Sequence, residues 1–149
     1  MESTKKRARH RYGYACINME LAEKGLTTNS SMILKTFMDK GVKYAGELAY
    51  SNLVALQKVL EWNVANGIEV YRMTSKLFPW GTDYKLEDLP NWSDILPIME
   101  DIGKYCDQHE LRLSFHPGPY NNLGSPDPKV IKSSIVDLEM HSQIMDYLG

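Results

Sequence analysis

The sequence lacks any long apolar run, has little cysteine and has no strong excess of one charge. No stretch of about 18 apolar residues occurs, which argues against a membrane-spanning helix, and the amino-terminal residues lack the apolar core of a secretory signal. Cys16 and Cys106 have no metal-type spacing, so we expect a reduced intracellular protein. The net charge of −2 gives no general indication of a nucleic-acid partner.

The composition is that of a globular domain. Of the 149 residues, 43% are hydrophobic and 24% are charged, which is enough for one domain with a core. The basic residues are nevertheless distributed unevenly along the sequence, because the first eleven positions hold five of the 17 Lys and Arg residues. Residues 1–10 are predicted to form a basic flexible lead-in, and residues 11–149 the folded unit. Such a lead-in could touch phosphates, or it could simply be a solvated terminus.

Three strands alternate with helices in the pattern expected for a parallel sheet. The predicted strands are residues 11–17, 68–73 and 110–116. Four helices are predicted. The first spans residues 32–40 and is ended by Gly41, and the second is capped by Ser51 or Asn52 and closed by Gly67. The third begins at Ser93 or Asp94, and the fourth runs from Asp127 to the end of the chain. This order indicates an α/β fold in which polar side chains follow the carboxyl ends of the strands.

The third strand carries the sharpest signal. Apolar and polar residues alternate from position 111 to 115, and the strand stops at His116 because Pro117 and Gly118 cannot continue the ladder. A histidine at the carboxyl end of a barrel strand is a typical metal ligand or catalytic base. The alternative is a strand-end histidine that only hydrogen-bonds to a loop. Three strands are too few to close a TIM (β/α)8 barrel, so we predict an incomplete barrel made of about the first three βα units.

Several motifs together resemble the UV-damage endonuclease family. They are residues 13–18 (GYACIN), 60–63 (LEWN) with Gly67 and Ile68, 71–75 (YRMTS) with Phe78 and Pro79, 113–118 (LSFHPG), and 137–141 (DLEMH) through to the final glycine. They occur in family order from Arg11 onward. A lone His-Pro-Gly would be weak evidence, whereas the combination is specific.

The resemblance implies a DNA repair endonuclease that nicks duplex DNA 5′ to pyrimidine dimers and related UV lesions, with a TIM-barrel fold and divalent metal ions, expected to be manganese. His116 corresponds to a metal ligand of the family, and Tyr14 and Asn18 to residues that face the lesion. Tyr120 corresponds to one half of a pair that wedges into the helix opposite the damaged bases.

Two features limit what the resemblance implies for this chain. The wedge pair is Gln-Tyr in the family, whereas Pro119 precedes Tyr120 here. One histidine cannot hold a metal cluster, so the other ligands must come from later strands or from a second chain that completes the barrel.

The role of His141 and the function of the whole chain each have a second interpretation. His141 is predicted to be a buried, hydrogen-bonded histidine that ties its helix to the sheet, rather than a metal ligand. The whole chain could instead be a non-catalytic DNA-binding or structural remnant of such a barrel. It could also belong to another metal-dependent barrel enzyme, such as a sugar isomerase.

Overall fold

The computed structural model describes residues 10–149, so the predicted lead-in lies outside the described residues apart from His10. Strands and helices alternate along the chain, with a short 3-10 helix at Leu86–Asp88. The elements are β1 (Gly13–Ala15), α1 (Met19–Glu23), α2 (Leu34–Ala65), β2 (Val70–Thr74), α3 (Trp92–Gln108), β3 (Arg112–His116) and α4 (Pro128–Leu148).

The strands form a parallel sheet in the order β1-β2-β3. Tyr14 pairs in register with Tyr71, and Thr74 pairs with His116. The prediction of an α/β fold with a parallel sheet is therefore confirmed. The strands are shorter than predicted, β1 most of all, because Cys16 turns into a positive φ of 63° and ends that strand.

The hydrophobic core lies between the sheet and the helices. Tyr71 and Met73 of β2 are fully buried, whereas Arg72 between them faces the other side. Their partners are apolar residues of the helices, and all of them are at most 4% exposed: Leu53, Leu56, Leu60, Ile95, Met99, Ile102, Ile144 and Leu148. One face of the sheet is thus sealed by helices.

Two separate helices were predicted before β2, one at residues 32–40 and one starting at Ser51 or Asn52, and this prediction is partly wrong. Gly41 does interrupt the helix with φ 65° and ψ −162°, but the helix resumes at once and does not wait for a cap at Ser51 or Asn52. The resumed part packs through small residues, since Ala45 and Ala49 are completely buried. Large apolar side chains at helical spacing begin only at Leu53, which is why the sequence pattern placed the start too late.

The start of α4 was predicted correctly. The Asp127 side chain accepts a hydrogen bond from the Lys129 backbone N–H at 2.9 Å, and Pro128 occupies the first turn. Not every apolar side chain of this helix is buried, since Ile135 is 43% exposed. The helix buries Ser134, Met140, His141, Ile144 and Leu148.

The aromatic loop after β2 is packed rather than free. Phe78 is 1% exposed, and the Trp80 ring stacks on Phe37 with centroids 5.4 Å apart. The Trp80 indole N–H donates to the Met32 carbonyl at 3.0 Å. The loop is therefore fixed against the start of α2. Within the described residues, no helix is long and apolar enough to cross a membrane.

Candidate functional site

The two faces of the sheet differ in the polarity of their side chains, and the described helices pack on only one of them. Tyr14, Tyr71 and Leu113 lie in one row on the helix side, as the register and the alternation of side chains require. Arg72, Ser114 and His116 lie on the opposite side. Gly13, Ala15, Arg72, Arg112 and His116 are all exposed there, and Ser114 is partly buried. This second face is polar and is left open by the described helices.

His116 stands at the carboxyl end of β3 on the open face. Its register partner is Thr74, the last residue of β2, and the Arg72 guanidinium donates to the neighbouring Phe115 carbonyl at 3.3 Å. The His116 imidazole is exposed and makes no hydrogen bond or ion pair within residues 10–149. Both ring nitrogens are consequently available to a ligand.

The described residues do not assemble a metal centre on their own. Within residues 10–149, no group of three or more His, Cys, Asp or Glu side chains is placed to hold a metal ion. An exposed imidazole such as His116 suits one coordination position of a transition metal. A cluster of ions needs more donors than this stretch provides, so the ligand set of these residues does not fit a complete site.

Tyr14 and Asn18 are brought together, as their spacing predicts, but on the helix-covered side. The Tyr14 hydroxyl donates to the Asn63 side-chain oxygen Oδ1 at 2.6 Å and accepts from the Asn18 side-chain amide at 2.9 Å. Asn18 is 6% exposed, and its side-chain oxygen caps α1 by accepting from the Leu21 N–H at 3.0 Å. Burial raises the Tyr14 pKa, and the two amide partners oppose that rise. In the described chain both side chains serve the connection between β1 and α2, and their role at a lesion stays a prediction.

The loop between β3 and α4 is anchored to α4. The Asn121 side-chain amide donates to the Gly118 carbonyl at 3.1 Å and to Asp137 Oδ2 at 2.6 Å. The Ser134 hydroxyl accepts from the Asn122 N–H at 2.8 Å. Tyr120 lies between these anchors and is 89% exposed. An unanchored ring of this size in a fixed loop is suited to contact a ligand.

His141 is buried beneath that loop, 4% exposed, with its ring against Phe115 at a centroid distance of 4.5 Å. The predicted contact between helix and sheet is present, although neither ring nitrogen has a partner in ordinary hydrogen-bond geometry among the described residues. The Nδ1 atom lies 3.5 Å from Asp137 Oδ2. Burial lowers the His141 pKa, whereas the Asp137 carboxylate and hydrogen bonding to the backbone of Ser75 and of Asp137 act in the opposite direction.

Comparison with known proteins assigns the chain to a family. Residues 10–149 match the family described as UV-endonuclease UvdE. The chain belongs to the UvdE family. It is 32% identical over 137 residues to the UV DNA damage endonuclease of Clostridium perfringens, covering 91% of this chain and 31% of that protein. It is 31% identical over 139 residues to the UV-damage endonuclease of Schizosaccharomyces pombe, covering 92% of this chain and 23% of that protein.

The backbone of this chain also superposes on a crystal structure from the UvdE family. The crystal structure of SacUVDE superposes with a TM-score of 0.78 at 29% sequence identity, covering 95% of this chain and 46% of that one. The chain spans less than half the length of the relatives it matches. The family relationship predicted from the motifs is confirmed, and these relatives do not favour a sugar isomerase.

Sequence reasoning missed several residues that build this candidate site. Asn63 was quoted within the motif at residues 60–63, but its hydrogen bond with Tyr14 was not foreseen because the two residues are 49 positions apart. Asn121 and Asp137 were missed as a pair because they are 16 positions apart. Lys129 and Lys132 had a usable signal, since a spacing of three puts both on one face of α4 beside the Tyr120 loop.

Proposed function

We propose that this chain forms the first three βα units of a TIM-barrel UV-damage endonuclease acting on duplex DNA with pyrimidine dimers and related lesions. The observation that carries the proposal is His116, exposed at the carboxyl end of a parallel strand on the polar, open face of the sheet. Active sites of such barrels lie at this end of the strands. The family match and the names of the relatives supply the reaction class.

In this proposal His116 contributes one metal ligand and Tyr120 the aromatic wedge. Divalent ions, manganese by expectation, would polarise the scissile phosphate and activate water. The remaining ligands would come from further strands, in the same polypeptide or in a second chain. Because residues 10–149 contain no group of three or more side chains placed to hold a metal ion, this stretch alone would not carry out hydrolysis. Tyr14 and Asn18 would act from the carboxyl end of β1, where their hydrogen bonds fix the connections to α1 and α2.

The test compares a duplex carrying one defined pyrimidine dimer with the same duplex undamaged, with manganese present. We expect tighter binding of the damaged duplex by fluorescence anisotropy. Any nick should lie 5′ to the dimer, should vanish in His116→Ala and should persist in His109→Ala. His109 is a suitable control because it is an exposed histidine at the opposite end of β3. Equal affinity for both duplexes, or a nick that survives His116→Ala, would refute the proposal.

A further inference from the structure

A groove runs beside the proposed metal ligand, between the β3–α4 loop and one face of α4. Its volume is about 530 Å3, and its walls include Tyr120 and Asn121 from the loop and Lys129, Lys132 and Asp137 from the helix. The loop wall begins two residues after His116. Whatever occupies the groove therefore adjoins the carboxyl end of β3.

The groove carries a net positive charge, because its wall contains two lysines and one carboxylate. Lys129 and Lys132 are exposed and form no ion pair within residues 10–149. The one carboxylate in the groove wall, Asp137, is engaged by the Asn121 amide at 2.6 Å. The Asp127 carboxylate at the start of the helix is engaged by the Lys129 backbone N–H. Both donors are neutral, so the carboxylates keep their charge, and the groove wall has one net positive charge from two lysines that form no ion pair within residues 10–149.

The rim of the groove adds an aromatic surface. Tyr120 is 89% exposed, although the loop on either side of it is held by hydrogen bonds from Asn121 and Asn122. A base stacked on an aromatic side chain contributes about 1–3 kcal/mol, and lysine ammonium groups contact phosphates as point charges. Cations and a ring along one groove match the alternating phosphate and base of a nucleotide chain.

We propose that this groove binds the DNA backbone, with Lys129 and Lys132 on adjacent phosphates and Tyr120 against a neighbouring nucleotide. The inference rests on the proposed function, since it assigns a further binding surface to the same substrate. It makes the two lysines positioning residues that fix the register of the strand relative to His116. They play no part in bond cleavage.

The test is the salt dependence of duplex binding. Each phosphate contact contributes about one unit to the slope of log K against log salt concentration. Lys129→Gln with Lys132→Gln should therefore reduce that slope by about two units. Tyr120→Ala should weaken binding while leaving the slope unchanged, because a stacked ring releases no counterions.

The control variant is Lys58→Gln with Lys104→Gln. It removes the same charge from two exposed lysines in the C-terminal halves of α2 and α3, which lead into the amino ends of β2 and β3. This control should leave the slope unchanged. An equal change in both double variants, or no change in the first, would overturn the groove assignment.

The two proposals fail in distinguishable ways. If the first double variant keeps the wild-type slope while preference for the damaged duplex persists, only the groove assignment is wrong. If the wild-type chain binds neither duplex, both proposals are wrong. Circular dichroism of each variant establishes that the fold is intact, and exposed lysines on a helix surface are expected to be replaceable without unfolding.

Discussion

Replacing Asn52 by alanine should be among the most damaging single changes to a polar residue in the chain. Asn52 is fully buried in α2 and ties two loops at the carboxyl edge of the sheet. Its side-chain oxygen accepts from the Ser30 N–H at 2.9 Å. Its amide donates to the carbonyls of Ser30 at 2.9 Å, Leu77 at 3.1 Å and Lys76 at 3.3 Å.

The expected loss in the free energy of unfolding follows from the hydrogen bonds that alanine cannot form and from the buried groups that lose their partners. Hydrogen bonds contribute about 0.5–1.5 kcal/mol each, and a buried group left without a partner costs about 1–3 kcal/mol. Leu77 is completely buried, so water cannot readily replace the lost donor at its carbonyl, whereas Ser30 is partly accessible. We expect Asn52→Ala to lower the free energy of unfolding by about 2–4 kcal/mol.

Urea unfolding with linear extrapolation measures this loss. Asn66→Ala is the matched control, because Asn66 ends the same helix and donates a single exposed hydrogen bond to the Trp62 carbonyl at 2.8 Å. That control should cost about 0.5 kcal/mol. Asn52→Asp should be at least as damaging as alanine, since it loses the donors and buries a charge. A loss below about 1 kcal/mol for Asn52→Ala would refute the reasoning.

Two further predictions concern packing and acid stability. In Gly103→Ala the new Cβ would collide with the Leu148 carbonyl, so urea unfolding should show a loss of about 1–3 kcal/mol, whereas Gly124→Ala, with nothing nearer than 3.6 Å, should be nearly neutral. Equal losses would contradict this. Because burial lowers the His141 pKa, the folded chain binds fewer protons than the unfolded chain just below the ordinary value of 6.5. The free energy of unfolding should therefore fall as pH drops through this range, and His141→Gln should flatten the fall; an unchanged pH profile in that variant would disprove the assignment.

Residues whose signal is local were predictable from the sequence. His116 followed from an alternating strand and a Pro-Gly stop, and Asp127 from its place before a proline; the structure has β3 end and α4 begin at those residues. These features depend on neighbours within a few positions. The parallel order of strands followed in the same way from the alternation of strand and helix signals.

Residues whose role depends on distant partners were not predictable. Asn52 was interpreted as a helix cap because asparagine favours that position, but its partners lie 22 to 25 positions away and become close only when the loops close over α2. The family resemblance implies that Tyr14 looks toward the lesion, which stays a prediction, but strand alternation alone does not say which face of the sheet the helices cover. The bond of Tyr14 to Asn63, 49 positions away, decides the side.

The uncovered face of the sheet connects the fold to the proposed function. Parallel sheets are almost always covered on both faces, and their strands are correspondingly apolar. Here Arg72 and His116 occupy the open side, where a second helix layer would have to bury an unpaired charge. A layer of helices is therefore a poor cover for this face. The barrel interior of the proposed function suits this face better, because the Arg72 guanidinium and the His116 imidazole could meet phosphates and metal ions there. If the groove at Lys129 and Lys132 binds the DNA backbone as proposed, it would hold the strand beside the loop that leaves His116.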